Sequence, residues 1–316
     1  MTGTNLASGL ADAQAMTQDD IVARRLMRRA TYASLVTALT LVTIKTIAAL
    51  MTGSVSVLSS LLDSLLDMAA SVVTLVAVRH ALVPADREHR FGHGKVEALA
   101  ALAQSAFITG SAVFLMVEVI GRFSAPAPVT HSWVGIGVML ISIAATIVLV
   151  IYQRHVVRKT RSLAIHSDSA HYLGDLSANV AVIVAVLLTA QLGWLYADPV
   201  IATAVAVYIV WMAWGVARGA LDMLMDRELS DADRQKIKAL ALADPRVCAV
   251  HDMRTRSAGR QYFIQMHIEM DGHLSLTQAH EIADAAEARV LEAFPGSEVI
   301  VHQDPDDIVE VSPSFA

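Results

Sequence analysis

Residues 54–79 read SVSVLSSLLDSLLDMAASVVTLVAVR, a stretch long enough and apolar enough to span a bilayer as a single helix. Two aspartates, Asp63 and Asp67, lie far from both of its ends. A carboxylate in the middle of a membrane helix costs about 2.5–3.5 kcal/mol on insertion scales, and its short stem does not reach the interface. The pair therefore indicates a membrane protein that needs polar groups inside the bilayer.

Five more apolar stretches of similar length complete a six-helix membrane domain. Hydrophobic residues make up 55% of the 316 residues and charged residues only 17%, well below the level of a soluble protein. The predicted spans are 31–52, 54–79, 97–120, 132–153, 168–191 and 198–218. We predict a disordered cytoplasmic tail, a membrane domain, a cytoplasmic domain and a second tail, with the bounds 1–25, 26–220, 221–305 and 306–316.

Lysine and arginine are distributed unequally between the two sides of the predicted membrane domain. Only Arg122 flanks one side. The other side is flanked by Arg24, Arg25, Arg28, Arg29, Arg79, Arg87, Arg90, Lys95, Arg154, Arg158, Lys159, Arg161 and Arg218. Because positive flanks stay in the cytoplasm, the sequence predicts an inner-membrane protein with both termini cytoplasmic.

Charge and cysteine content exclude several classes of function. After residue 219 the chain has 18 acidic and 9 basic residues, so the net charge of −6 belongs to the C-terminal part. Nothing resembles the basic stripe of a nucleic-acid-binding surface. Cys248 is the single cysteine and forms no intrachain disulfide. No Ser/His/Asp arrangement or phosphate-binding glycine motif stands out, so we predict that the protein is not an enzyme.

A second pair of ionisable residues occurs in span five. His171 and Asp175 are four residues apart, as are Asp63 and Asp67, so each pair lies on one helix face. Together they offer three oxygens and one imidazole nitrogen, a donor set that suits tetrahedral Zn²⁺. A proton or sodium path and a structural hydrogen-bonding role fit paired carboxylates as well. We interpret Lys45 in span one as a long side chain that reaches the interface.

The loop between spans two and three contains a compact set of candidate ligands. Asp86, His89 and His93 lie within eight residues, and Gly92 and Gly94 give the backbone flexibility. This spacing predicts a three-ligand, partly open metal site, and solvated loop charges explain it equally well.

Residues 228–304 have the pattern of a small α+β domain in the order αββαβ. The predicted elements are 230–242, 246–256, 261–270, 276–294 and 299–302. The second strand alternates apolar and polar residues, as a half-buried strand does. Candidate ligands from different elements are His251, His267, His280, His302 and Asp304. They predict a metal cluster whose affinity depends on pH, with solvated histidines as the alternative.

Short motifs follow one another in a fixed order from about residue 25 to 305. They are Gly53-Ser-Val-Ser56, Leu62-Asp63-Ser-Leu-Leu-Asp67, Phe91-Gly-His-Gly-Lys95, His171-Tyr-Leu-Gly-Asp175, His251-Asp-Met-Arg-Thr-Arg256, Gln278-Ala-His280 and Val301-His-Gln-Asp-Pro305. This set resembles the cation diffusion facilitator family, most closely its bacterial zinc/ferrous-iron efflux branch. The long His-rich loop of eukaryotic zinc members is absent, and the connection at 154–161 is short and basic.

The resemblance implies a homodimer of six-span protomers that exports Zn²⁺-like ions in exchange for protons. It implies a transport site at Asp63, Asp67, His171 and Asp175. It implies a loop site at Asp86, His89 and His93. It implies a cytoplasmic binuclear site at His251, His267, His280, His302 and Asp304. It also implies an interprotomer charge contact between Lys95 and Asp226.

Two functions of other classes fit parts of the pattern. A membrane-bound metal sensor would keep the C-terminal cluster but would not need four ionisable groups inside the membrane domain. A proton- or sodium-coupled carrier of another solute would keep the paired carboxylates, although an imidazole ligand disfavours sodium. We therefore predict efflux of a divalent transition metal, Zn²⁺ with Fe²⁺ or Cd²⁺ as further substrates, by proton antiport with alternating access. Zn²⁺ is also expected as a regulatory or structural ligand.

Overall fold

A computed structural model describes residues 18–53, 55–124, 133–194 and 196–307. The chain divides into two compact units. One is Asp19–Leu221, and the other includes residues 222–307. Residues 1–17 of the first predicted tail and 308–316 of the second lie outside the described residues, so the disorder expected of the first tail stays a prediction for 1–17.

Six long helices form the first unit, and each is long enough and apolar enough to cross a membrane. This finding confirms the six predicted spans. The helices are α1 Gln18–Thr52, α2 Val55–Ala81, α3 Val96–Ser124, α4 Trp133–Thr160, α5 Leu163–Leu192 and α6 Ala197–Leu224.

Each helix is longer than the span predicted for it, because hydropathy marks the part that fits in lipid and not the point where a helix ends. The largest difference is in α1, which begins at Gln18. Asp19 and Asp20 lie in its first turn, where the helix dipole favours carboxylates. Residues 18–25 are therefore helical, although the sequence predicted a disordered tail there.

Large apolar side chains remain exposed along these helices. Leu50 is 83% exposed, Trp211 71% and Phe114 68%. Apolar surface of this extent is unfavourable in water but suits contact with lipid chains. The first unit is thus the bundle of a multi-pass membrane protein.

Helix α5 packs against α2, α3 and α4 and is fixed at both ends. At its start the Ser162 side chain accepts a hydrogen bond from the Ile165 N–H. The buried Glu97 carboxylate of α3 in turn accepts from the Ser162 hydroxyl and the Ala164 N–H. At its end Gly193 has a φ of 64°, a left-handed conformation that glycine adopts without strain. These contacts fix the rotation and height of α5 in the bundle.

The second unit has the predicted αββαβ order. Its sheet has the strand order β1-β2-β3, in which β2 pairs antiparallel with β1 and parallel with β3. A core that includes Ile237, Ile264 and Ile282 lies between the sheet and the helices. The elements are α7 Asp231–Ala241, β1 Ala249–Ala258, β2 Gln261–Met270, α8 Leu276–Ala293 and β3 Glu298–Pro305.

Candidate metal sites

Helices α2 and α5 bring three of the four predicted transport ligands together. His171 Nε2 lies 3.0 Å from Asp67 Oδ1 and 3.6 Å from Asp175 Oδ2. One ligand atom from each residue lies within 4.8 Å of the other two. Two ligands of a tetrahedral Zn²⁺ ion lie about 3.4 Å apart when each bond is about 2.1 Å long. The cluster therefore has the dimensions of a single-ion site.

The side chains of this cluster are largely buried, so their polar atoms have little contact with solvent. The His171 side chain is 5% exposed, Asp67 18% and Asp175 33%. Asp175 Oδ2 is buried and accepts no hydrogen bond from the part of the chain that the structure describes. A buried acceptor without a donor is costly, and a bound cation would compensate for it. The donor set and this acceptor both fit a metal ion.

Asp63 is the fourth predicted ligand, and the structure does not bring it to the other three. It is exposed, one helical turn before Asp67 on α2. Within the described ranges, the group of close ligand atoms at this point contains Asp67, His171 and Asp175 but not Asp63. The role of Asp63 as a ligand stays a prediction.

Lys45 is placed differently from the sequence interpretation. The side chain does not extend to the membrane–water interface but lies inside the bundle, where the residue is only 8% exposed. Its ammonium group donates hydrogen bonds to the Ser60 carbonyl at 3.1 Å and to Ser64 Oγ at 2.7 Å, both on α2. Hydropathy alone misses this contact because it does not show which helix faces α1.

A buried polar network beside the cluster was also missed. Asp168 of α5 is 1% exposed, and Gln153 Nε2 of α4 donates to its Oδ2 at 2.6 Å. Gln104 Nε2 of α3 donates to Thr74 Oγ1 of α2 at 2.8 Å and to Asp168 Oδ1 at 3.5 Å. The network connects α5 to the three helices packed around it, α2, α3 and α4. Its sequence signal is glutamine in an apolar span, where polar side chains are rare unless they are paired.

The loop residues form the second predicted group. Asp86 Oδ1 lies 3.4 Å from His89 Nδ1, and Asp86 Oδ2 lies 3.4 Å from His93 Nε2. A hydrogen bond from the His89 backbone N–H holds the pKa of Asp86 below its usual range, so the carboxylate stays ionised. Three such ligand atoms suit a partly open metal site.

His93 joins this loop group to α2. Its side chain is 7% exposed, and its Nδ1 has no hydrogen-bond partner among the described residues. The ring of His80, at the end of α2, lies edge-on to it with centroids 5.3 Å apart. His80 was not among the predicted ligands, and its position next to the loop is evident only once α2 extends to Ala81.

The third group is a row of histidines across the sheet of the second unit. His251 on β1 pairs with His267 on β2, which pairs with His302 on β3. Paired residues on neighbouring strands point to the same face of a sheet. Neighbouring rings are accordingly close, with centroids 5.3 Å apart for the first pair and 4.6 Å for the second.

Asp304 completes this row and contacts all three imidazoles. Its Oδ2 lies 2.8 Å from His267 Nδ1 and 3.3 Å from His251 Nε2, and its Oδ1 lies 3.1 Å from His302 Nε2. The residue is only 3% exposed. A carboxylate with two imidazoles beside one oxygen and a third beside the other is suited to bridging two ions, which fits the binuclear site that the family resemblance implies.

Two acidic side chains next to this row were not predicted. Glu269 Oε1 lies 3.2 Å from His251 Nε2, and Asp252 Oδ2 lies 3.8 Å from His251 Nδ1. Asp252 has a positive φ of 44° at the irregular register between His251 and Arg254. The bulge turns an acidic residue toward the histidines. For Glu269 the sequence signal is its position two residues after His267, on the same face of the strand.

His280 lies apart from the row. It is on α8, its side chain is 65% exposed, and its Nε2 lies 3.5 Å from Asp284 Oδ2. Among the described residues, no close group of ligand atoms includes it. The structure thus assembles four of the five predicted ligands of this domain, and the role of His280 stays a prediction.

Two known family domains match this chain, one over the membrane unit and one over the second unit. The cation efflux transmembrane domain matches residues 31–225, and the cytoplasmic domain of the cation efflux protein matches residues 229–306. This chain belongs to the cation efflux family. Membership confirms the resemblance and the architecture inferred from the motifs, and this family is one of cation efflux transporters, not of enzymes.

Relatives in the cation efflux family are similar over nearly their whole length. The Cation-efflux pump FieF of Shewanella oneidensis is 47% identical over 288 residues, which cover 91% of this chain and 96% of the relative. The protein of the same name from Salmonella choleraesuis is 47% identical over 285 residues, with 90% and 95% coverage. That from Salmonella arizonae has the same identity and coverage.

Proposed function

We propose that this member of the cation efflux family exports a divalent transition-metal ion, primarily Zn²⁺, in exchange for protons. The cluster of Asp67, His171 and Asp175 carries the proposal, since it gathers two carboxylates and an imidazole inside an apolar bundle. The relatives named Cation-efflux pump support the direction of transport. Asp63 completes a four-ligand set when the metal is bound.

The chemistry of the donor set supports a borderline metal. Imidazole nitrogen binds Zn²⁺, Fe²⁺ and Cd²⁺ well, whereas Mg²⁺ prefers oxygen and keeps its waters. Carboxylate oxygens alone would suit hard cations, so His171 is the ligand that distinguishes a transition metal from Mg²⁺ or Na⁺. We therefore rank Zn²⁺ first, with Fe²⁺ and Cd²⁺ as further substrates.

Proton exchange follows from the ligands themselves. A carboxylate or imidazole must lose its proton to bind metal, so metal and protons compete for Asp67, His171 and Asp175. In the proposed cycle the deprotonated site takes up metal from the cytoplasm. After the bundle reorients, protons from the other side displace the metal, and the protonated site returns.

We place the protein in the inner membrane with both termini in the cytoplasm. The excess of Lys and Arg on one set of flanks, against Arg122 on the other, supports this orientation. The loop of Asp86, His89 and His93 and the histidine row of the second unit then both face the cytoplasm, where the transported metal is collected.

We further propose that the transporter works as a homodimer whose second unit binds metal as a regulatory ligand. Residues 229–306 match the cytoplasmic domain of the cation efflux protein, a domain family whose name refers to a dimer, and this match supports the assembly. An acidic domain repels its own copy, and cations bound at the histidine row reduce that repulsion. The proposed charge contact between protomers joins Lys95 of one to Asp226 of the other.

Uptake of metal into proteoliposomes tests the proposed function. We expect saturable uptake of Zn²⁺ and Cd²⁺, and of Fe²⁺ under reducing conditions, with no comparable uptake of Mg²⁺. Liposomes without protein provide the background. A chain that binds Zn²⁺ but moves none would instead be a sensor, and Zn²⁺-independent flux of Na⁺ would indicate a carrier of another solute.

A further inference from the structure

Lys45 is a buried charge that the transport cycle described above does not use. It lies on α1, is 8% exposed, and its ammonium group donates to the Ser60 carbonyl and to Ser64 Oγ. Ser64 directly follows Asp63, and Asp67 is one turn further along α2. Lysine is almost never this deeply buried unless it is compensated. Two neutral acceptors alone are weak compensation for a full charge in an apolar bundle.

The remaining compensation comes from the transport cluster. The carboxylates that act electrostatically on Lys45 are those of Asp67, Asp63 and Asp175. These are the three acidic residues predicted for the transport site. The hydrogen bonds to the two α2 serines hold the lysine against the helix face that also carries Asp63 and Asp67, and it forms no ion pair within 4 Å among the described residues.

Lys45 changes the net charge of the transport site. The charge count covers the four proposed ligands only and leaves out Asp168, whose two oxygens accept hydrogen bonds from Gln153 and Gln104. Three ionised carboxylates and a neutral His171 give −3, and the ammonium of Lys45 brings this set to −2. One divalent cation then neutralises the site, whereas a monovalent cation leaves it negative. Net charge inside an apolar bundle is costly, so neutrality is favoured. Without Lys45 the metal-loaded site would keep a charge of −1.

We propose that Lys45 is a fixed counter-charge of the transport site that matches it to one divalent cation and keeps the cation releasable. The inference rests on the proposed function and names a positioning residue of the same site. A cation near an ammonium group is bound less tightly than it would be by the carboxylates alone. Transport needs such weakened binding, since an ion held too tightly leaves the site too slowly.

Replacement by the uncharged Lys45→Met tests the proposal in the full-length protein. Zinc binding at the membrane site is the part of the binding isotherm that Asp67→Asn removes. At a fixed, mildly alkaline pH, where few protons compete with zinc, we expect Lys45→Met to tighten this binding about tenfold or more, while zinc transport slows. A merely structural lysine would do the opposite, since a loosened site binds zinc more weakly.

Two control variants separate the charge from the hydrogen bonds. Lys45→Arg keeps the charge and is expected to retain binding close to that of the unchanged protein. Ser64→Ala removes the hydroxyl acceptor but leaves the ammonium, so its zinc affinity is expected to change by less than about threefold. Size-exclusion elution and thermal melting show that each variant is folded.

Unchanged or weaker zinc binding in folded Lys45→Met would overturn the proposal. So would an equal tightening in Ser64→Ala. Failure of the proposed function is a different result, because the unchanged protein would then show no zinc binding that depends on Asp67.

Discussion

Replacing Asp67 by asparagine is expected to reduce the initial rate of zinc uptake into proteoliposomes by more than about 100-fold. Asparagine keeps the shape of the side chain but supplies no negative charge. Asp67 Oδ1 is the carboxylate oxygen closest to His171 Nε2, at 3.0 Å. Its loss removes one of the four proposed ligands and leaves Asp175 as the carboxylate closest to the imidazole, and an incomplete tetrahedral site binds Zn²⁺ poorly.

Glu118→Gln is the matched control for this variant. Glu118 also lies in the membrane unit, but its carboxylate pairs with Arg122 and is 47% exposed. We expect this variant to transport zinc within about twofold of the unchanged protein, because Arg122 keeps its ion pair with Asp198 and Glu118 is not in the group of close ligand atoms found among the described residues. Uptake that survives in folded Asp67→Asn, or that falls equally in Glu118→Gln, would contradict the assignment of the transport site.

Replacing Asp304 by asparagine is expected to abolish metal-induced stabilisation of the second unit. Zinc at about 100 times its Kd stabilises a folded site by about 2.7 kcal/mol. For a domain of this size that raises the Tm by roughly 10–20 °C. Asp304 contacts all three imidazoles of the row, so its neutralisation removes the ligand that the bound ions share. The Tm increase should therefore disappear in Asp304→Asn.

Thermal melting of residues 222–316 with and without Zn²⁺ measures this effect, since the unit has its own hydrophobic core. Glu281→Gln removes an exposed carboxylate of α8 outside the row and should keep the full increase. Acidification should reduce the increase in the unchanged domain, because protons compete with zinc for the imidazoles. A full increase in Asp304→Asn would show that zinc binds elsewhere in the domain.

The fold was predictable because its signals are local. An apolar stretch of about 20 residues identifies a span, and the alternation of apolar and polar residues over 261–270 identifies a half-buried strand. The helix ends were not predictable from hydropathy. The start of α5 at Leu163 depends on Ser162 and on Glu97, a residue more than 60 positions away in the sequence.

The sites were predictable only in part, because distances between elements are not local. Spacing places His171 and Asp175 on one face of α5, but only packing brings Asp67 of α2 to them. The same packing buries Lys45, which the sequence suggested was at an interface. The row in the sheet depends on which residues pair across neighbouring strands. Alternation specifies which residues share a face of the sheet, but not these pairs. Register brings His251, His267 and His302 together, whereas His280 lies on a helix outside the row.

The most direct test of the account is zinc uptake into proteoliposomes with an imposed pH gradient. Vesicles that are acidic inside are expected to take up Zn²⁺ faster than vesicles without a gradient, and their lumen should become more alkaline as zinc enters. Both changes should disappear in Asp67→Asn. Zinc uptake that is indifferent to the gradient, or that proceeds without proton movement, would contradict metal/proton exchange at this site.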